Sequence, residues 1–282
     1  MTISTIGVVG AGQMGAGIAQ VFAFAGYNVI MQDIKPEFLE RGMNGIKGSL
    51  SKMLEKGKIT KDAHDKTHAN IKTTLTLNDL AACDLVVEAA PENINLKKEI
   101  FSSLDNITKK DAILATNTSS ISVAKIGEST KRPDKIIGMH FMNPVPIMQC
   151  VEVIRSPKTS DATHAVVSEL VTRLNKTMVT SKDTPGFIIN RILMPMINEA
   201  AHALKDGIAT REDIDTGMKL SCNFPMGPLA LADLIGLDTV HSILSVLYDG
   251  FKDEKYRPCT VIKEHVDKGE LGRKTKRGFY SY

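Results

Sequence analysis

The sequence predicts an α/β protein: a doubly wound, mostly parallel sheet followed by an all-helical C-terminal domain. Two observations predict it. Short β-branched runs alternate with helical patterns between Ile6 and Ile154, the pattern of crossover units that place helices on both faces of a parallel sheet. After Asp183-Thr184-Pro185-Gly186 the strand signal nearly disappears and helical periodicity takes over. The expected domains are therefore residues 1–184 and 185–282.

In order, Ile6, Val8 and Val9 form a first apolar strand, residues 14–25 an Ala-rich helix that Gly26 ends, and residues 27–31 a second strand. Pro36 opens a helix expected to run to about residue 56. Strands follow at 85–87, 112–115, 135–139 and 151–154, with helical patterns at 96–104 and 163–174 among them. In the second domain, 187–205 is a long apolar helix, and Thr210 caps another with Asp213 three residues on. Residues 228–235, 238–247 and, more weakly, 263–268 complete the helices.

Hydrophobic residues make up 43% of the 282 and charged residues 24%, enough apolar surface to bury that disorder is excluded. A net charge of +3 is too mild to argue for nucleic acid, and 5% aromatics without Trp supply no stacking platform. No uncharged run reaches the ~18 residues of a membrane helix. The four scattered cysteines lack any CxxC pair, and His64 and His68 lack an HExxH context, so neither a disulfide framework nor a metal site is expected. Residues 2–9 read as a strand, not as a basic, then apolar, signal. A cytoplasmic protein with reduced thiols is expected, although a processed import sequence would leave no trace.

Gly10-Ala11-Gly12-Gln13-Met14-Gly15 is a GxGxxG turn that follows a strand and opens a helix, the context a Rossmann-like dinucleotide fingerprint requires. Gly10 permits the turn, Gly12 lets backbone approach a pyrophosphate, and Gly15 lets the helix pack closely. Asp33 ends the next strand, 18 residues after Gly15. A carboxylate there bonds ribose hydroxyls and repels a 2′-phosphate, which favours NAD; nearby Lys35 keeps NADP open. The alternative is a purely structural turn with a surface aspartate.

Ligands of open α/β sheets bind beyond the carboxyl ends of the strands. Three strands deliver polar residues to that edge: Glu88, Glu92 and Lys97 after the first, Asn117 to Ser120 after the second, His140 and Asn143 after the third. A histidine at a nicotinamide site suits removal of the proton that hydride transfer leaves behind. Glu152 lies in the apolar run Cys150-Val151-Glu152-Val153-Ile154. Burying it without a partner is costly, and His140 is a plausible one; otherwise Glu152 faces water on an edge strand. Six basic residues stand against one acid between Arg41 and Lys61. Ser49, Lys52 and Lys56 are spaced to share one helix face that could hold phosphates, or be simply solvated.

The motifs together resemble the short-chain L-3-hydroxyacyl-CoA dehydrogenases, most closely their bacterial 3-hydroxybutyryl-CoA branch. The residues that carry the resemblance are Val8 to Gly15, Asn117-Thr118-Ser119-Ser120, Gly138-Met139-His140-Phe141-Met142-Asn143-Pro144, Asp183 to Phe187, Pro225-Met226-Gly227-Pro228 and Gly278-Phe279-Tyr280. The resemblance implies that His140 and Glu152 are the catalytic pair, that Ser119 bonds the reacting oxygen and that Asn190 adds an active-site amide from the helical domain. It implies cofactor contacts at Gln13, Met14, Asn117, Ser119, Asn143, Glu92, Lys97 and Lys274. It implies CoA contacts at Ser49 and Lys56, with Lys52 on the same face, and a homodimer formed through the helical domain. The expected reaction is reversible oxidation of a (3S)-hydroxyacyl-CoA to the 3-ketoacyl-CoA, physiologically reduction of acetoacetyl-CoA. Two alternatives remain: a related NAD-dependent dehydrogenase of a non-CoA hydroxy acid, and a non-catalytic dinucleotide-binding protein.

Overall fold

The structure, a computed structural model, describes residues 3–282, and the chain divides into two compact units, one ending at Thr184 and the other Pro185–Tyr282. The first unit holds one eight-stranded sheet: β1 (Thr5–Val9), β2 (Asn28–Gln32), β3 (Ile71–Thr74), β4 (Leu85–Glu88), β5 (Ile113–Thr116), β6 (Ile136–Phe141), β7 (Cys150–Arg155) and β8 (Thr177–Lys182). Their spatial order is β3-β2-β1-β4-β5-β6-β7-β8. All neighbours pair in parallel except β6 and β7, which are antiparallel, so β7 and β8 run against the rest. The chain winds outward from β1 to β3 and then returns to β4. The turn after β1 therefore lies at the point where the strand order reverses, where such sheets bind ligands.

Helices α1 (Gln13–Phe24), α2 (Pro36–Glu55), α3 (Lys61–Ala69), α4 (Ile94–Ile107), α5 (Val123–Gly127) and α6 (Asp161–Arg173) connect the strands. Their starts follow local chemistry. Pro36 occupies the first turn of α2, where its missing N–H costs nothing. The Asn93 side chain accepts from the Asn95 and Leu96 amides to cap α4, and Ser160 accepts from Thr163 N to cap α6. Ile6 and Val8 of β1, Val87 of β4, and Ile18 and Phe22 of α1 are wholly buried in the common core, as a sheet covered on both faces requires.

Four elements escape the sequence reading: β3, β8, α3 and the five-residue α5. β3 reads Ile-Lys-Thr-Thr and β8 Thr-Met-Val-Thr-Ser-Lys, both mostly part-exposed at the sheet edges. With one flank open to water they need no continuous apolar run. In α3 only Thr67 is buried, so it carries no apolar stripe. The expected strand start at Thr2 lies outside the described residues.

The second unit contains α7 (Ile189–Lys205), α8 (Arg211–Cys222), α9 (Pro228–Ile235), α10 (Leu237–Phe251) and α11 (Thr260–Asp267). They bury Ile197, Leu229, Val240, Leu244 and Ile262 together. Helix α7 starts two residues later than expected, because Gly186 and Phe187 adopt left-handed φ values of 73° and 52°. Thr210 caps α8 by accepting from the Asp213 amide. Two buried aspartates order the end of the chain. Asp215 accepts from Leu229 N, Ala230 N and the Tyr280 hydroxyl, and Asp233 from Phe279 N, Tyr280 N and the Tyr282 hydroxyl. Among the described residues no single helix is long and apolar enough to cross a membrane.

Candidate active site

The glycine turn shows which of its positions the protein needs for itself. Gly10 has φ 99°, and a β-carbon there would come within 2.7 Å of the Ala89 carbonyl oxygen. At Gly15 a β-carbon would lie 1.8 Å from the Gly10 oxygen, so helix α1 rests directly on the turn. Gly12 differs. Its φ of −66° suits any residue, and a β-carbon there would meet nothing within 4 Å. The protein's own packing does not require glycine at that point, whereas a group lying against the backbone there would. Gly12 is also the N-cap of α1 and gives that helix no side-chain cap, which leaves the first-turn amides facing outward, as a pyrophosphate requires. Asp33 is held beside the turn: Oδ2 accepts from Ala11 N and Oδ1 from Ile34 N, both at 2.7 Å. Each oxygen retains a second lone pair for a ribose hydroxyl. Gln13 is exposed and donates through Nε2 to Asn143 Oδ1 at 3.1 Å, while Met14 packs on the core. The residues present thus fit a dinucleotide.

His140 and Glu152 are direct partners in the antiparallel β6·β7 register. Facing residues in such a pair have β-carbons about 5 Å apart, and here His140 Nδ1 lies 3.0 Å from Glu152 Oε2. Glu152 is fully buried and His140 is 6% exposed. The edge-strand alternative for Glu152 is therefore excluded, because β8 covers the outer side of β7. Nδ1 is thereby committed to the carboxylate.

A second buried network fixes the loops at the ends of β4 and β5. Glu88, fully buried, accepts from Lys97 Nζ and Ala90 N through Oε1, each at 2.6 Å, and from the Thr116 hydroxyl through Oε2 at 2.7 Å. Lys97 also donates to Ala90 O and lies 3.4 Å from Glu92 Oε2. Glu92 Oε1 collects the Thr118 and Ser120 hydroxyls and the Ser119 and Ser120 amides. Burial pushes the Glu92 carboxyl up, but the Lys97 charge and these donors outweigh it and hold it below the usual carboxylate range. The Lys97 ammonium is thus engaged inside the protein. Ser119 itself is part-exposed on the loop so held. Asn117, 9% exposed, accepts from Phe141 N at 2.8 Å and so ties β5 to the residue after His140. Glu88, which the sequence places at the ligand edge without a role, is the anchor of this network; it closes the apolar run Leu85-Val86-Val87.

A cavity of about 470 Å³ opens beside the glycine turn. Its walls are Gly12 and Gly17 of the turn and α1, Arg41, Gly45 and Ser49 of α2, and the loop Asn143 to Pro146. Ser49 thus faces the cavity. Lys52 and Lys56 are exposed farther along, Lys56 just past the end of α2. Among the described residues no cluster of three or more His, Cys, Asp or Glu is arranged to hold a metal ion. In the helical unit, Asn190 is buried in the first turn of α7, and Lys274 is ion-paired with Asp238.

The family profile "3-hydroxyacyl-CoA dehydrogenase, NAD binding domain" matches residues 5–184, and "3-hydroxyacyl-CoA dehydrogenase, C-terminal domain" matches residues 186–282. The chain is 49% identical over 280 residues to a 3-hydroxybutyryl-CoA dehydrogenase of Bradyrhizobium diazoefficiens, covering 99% of this chain and 96% of that one. It is 47% identical over 277 residues to the 3-hydroxybutyryl-CoA dehydrogenase of Clostridioides difficile, covering 98% and 99%. A crystal structure of (S)-3-hydroxybutyryl-CoA dehydrogenase from Ralstonia eutropha superposes with a TM-score of 0.97 at 50% identity, covering 100% of this chain and 99% of the other.

Proposed function

The chain belongs to the 3-hydroxyacyl-CoA dehydrogenase family, and we propose from that premise that it interconverts (3S)-3-hydroxybutyryl-CoA and acetoacetyl-CoA, chiefly as the reductase. The observation that carries the reaction is the buried His140–Glu152 pair, set on the sheet that also ends in the glycine turn. NAD, when bound, supplies or accepts the hydride at C3 of the acyl chain. In the reductive direction His140 passes a proton from Nε2 to the oxygen forming at C3. Glu152 holds the ring by Nδ1 and offsets the positive charge that the imidazolium carries. Ser119 donates a hydrogen bond to the substrate oxygen.

For the cofactor we assign the pyrophosphate to the Gly10–Gly15 turn with Gln13 and Met14, the adenosine ribose to Asp33, and the nicotinamide end to Glu92, Asn117, Ser119 and Asn143, with Lys97 acting through Glu92. The Asp33 carboxylate favours NAD over NADP by repulsion of a 2′-phosphate. The CoA arm is assigned to the cavity that reaches Ser49, and its phosphates to Lys52 and Lys56. We further assign the protein to the cytoplasm, as a homodimer formed through the helical unit. Ile192, Ile208 and Leu220 there are exposed by two-thirds or more, which supports an apolar contact.

The test is oxidation of NADH and of NADPH by acetoacetyl-CoA, followed by loss of the reduced nicotinamide absorbance, with free acetoacetate as the parallel substrate. Rapid turnover of the thioester with NADH, and none of the free acid, is expected. Preference for free acetoacetate would overturn the CoA assignment. Inertness toward every ketoacyl-CoA would overturn the enzymatic one.

A further inference from the structure

Beta strands 6 and 7 form a hairpin whose loop, residues 142–149, does two things. It sets the register that places His140 opposite Glu152, and its Asn143 to Pro146 segment forms one wall of the cavity beside the glycine turn. The inner side of the loop rests on α1, where a β-carbon at Gly17 would lie 2.9 Å from Val145 Cβ. Its outer side has an unusual support. Lys176, between α6 and β8, donates from Nζ to Val145 O at 2.8 Å and to Met148 O at 2.6 Å. Asn175, at φ 54°, turns the chain between the end of α6 and this lysine. Thr177 N then donates to Gln149 O at 2.7 Å, so the same corner also grips the end of the loop.

The ammonium has no carboxylate among its ion pairs in the described residues; its partners are two backbone carbonyls. Burial accordingly lowers the Lys176 amine from its ordinary value. Lys176 is half-buried, and its charge is shared between two loop carbonyls. It makes sense as a clamp, because charge-assisted bonds are stronger and more restrictive than neutral ones. The loop's own turn uses Pro144 O to accept from Ile147 N and Met148 N.

We propose that Lys176 is a positioning residue for acyl-CoA binding: by holding the carbonyls of Val145 and Met148, it sets the Val145–Pro146 wall against which the pantetheine arm of the substrate lies. This rests on the assignment of that cavity to the CoA arm. Lys176 touches neither substrate nor cofactor, and its effect is transmitted by the wall.

The experiment compares wild type, Lys176→Met and Lys176→Arg with acetoacetyl-CoA and with the truncated thioester S-acetoacetyl-N-acetylcysteamine, which lacks most of the arm. Methionine keeps the apolar stem and removes the donors; arginine restores them. Losing one or two charge-assisted bonds from the wall should raise the acetoacetyl-CoA KM of Lys176→Met about tenfold. Its kcat and its NADH KM should change less than about threefold. The penalty should shrink to within about twofold for the truncated substrate, and Lys176→Arg should recover most of the lost affinity. Equal penalties on both thioesters, a parallel rise in the NADH KM, or an unaltered acetoacetyl-CoA KM would each overturn the proposal. A fall in melting temperature without the KM split would reduce Lys176 to a stabilising contact and overturn it as well. Wild-type turnover of acetoacetyl-CoA in the same series reports separately on the reading the proposal rests on.

Discussion

Glu152→Gln isolates the electrostatic half of the proton-transfer pair. The side chain is fully buried and its Oε2 lies 3.0 Å from His140 Nδ1. Glutamine preserves volume, so the core loses no packing, and its amide can still meet the ring. What disappears is the negative charge opposite an imidazolium. For charges about 4 Å apart at an effective dielectric near 20, that interaction is about 4 kcal/mol. If it is felt mainly where the ring carries its charge during proton transfer, kcat falls about a thousandfold. The assay is steady-state NADH oxidation by acetoacetyl-CoA, paired with NADH binding by fluorescence and a thermal melt. Expected are a large loss in kcat, NADH affinity within about twofold of wild type, and a folded protein. A kcat within about tenfold of wild type would refute the reasoning, because the carboxylate would then do no more than orient the ring. A loss accounted for by weaker NADH binding would also refute it.

Three further outcomes follow from particular contacts. Gly12→Ala should cost less than about 1 kcal/mol in stability, since its new methyl meets no protein atom, yet raise the NADH KM at least about tenfold; a stability loss with unchanged NADH KM would contradict the pyrophosphate assignment. Lys52→Ala with Lys56→Ala should raise the acetoacetyl-CoA KM more than it lowers kcat, and the effect should fade as salt rises; a defect confined to kcat would argue against phosphate contacts. At the opposite edge of the sheet, burial would raise the Asp84 carboxyl, but bonds from Lys109 Nζ, the Ser4 and Thr5 amides and the Ser4 hydroxyl bring it down from 3.8 to about 2. A depressed carboxylate stabilises the fold above its unfolded value and loses that contribution as pH falls from about 4 toward 2, about 2 kcal/mol in all. Asp84→Asn should therefore lose stability at neutral pH, show a flatter acid limb in denaturant melts, and keep its kcat.

Much of the molecule was readable along the chain. The glycine turn, the apolar strands β1, β4, β5, β6 and β7, the Thr210 cap and the change to helices past Pro185 are local features, set by turn chemistry and by the period of apolar residues. His140 and Glu152 could be named because one follows an apolar strand at the ligand edge and the other is a charge inside an apolar run. Their pairing was a decision of the tertiary structure. It depends on β7 running antiparallel to β6 and on a hairpin loop that aligns those two positions, and a shift of one residue would have turned Glu152 to the opposite face of the sheet. The same holds for Lys97, which the family resemblance marks as a cofactor contact and whose ammonium meets Glu88 and Glu92 in space, and for Lys176, whose partners are backbone carbonyls with no side-chain signature. Edge strands β3 and β8 were illegible because half-solvated strands tolerate polar residues. Periodicity records whether a residue faces the core. Which buried polar groups meet there is fixed by register and loop geometry between segments far apart in the chain, and neither is written in any local pattern.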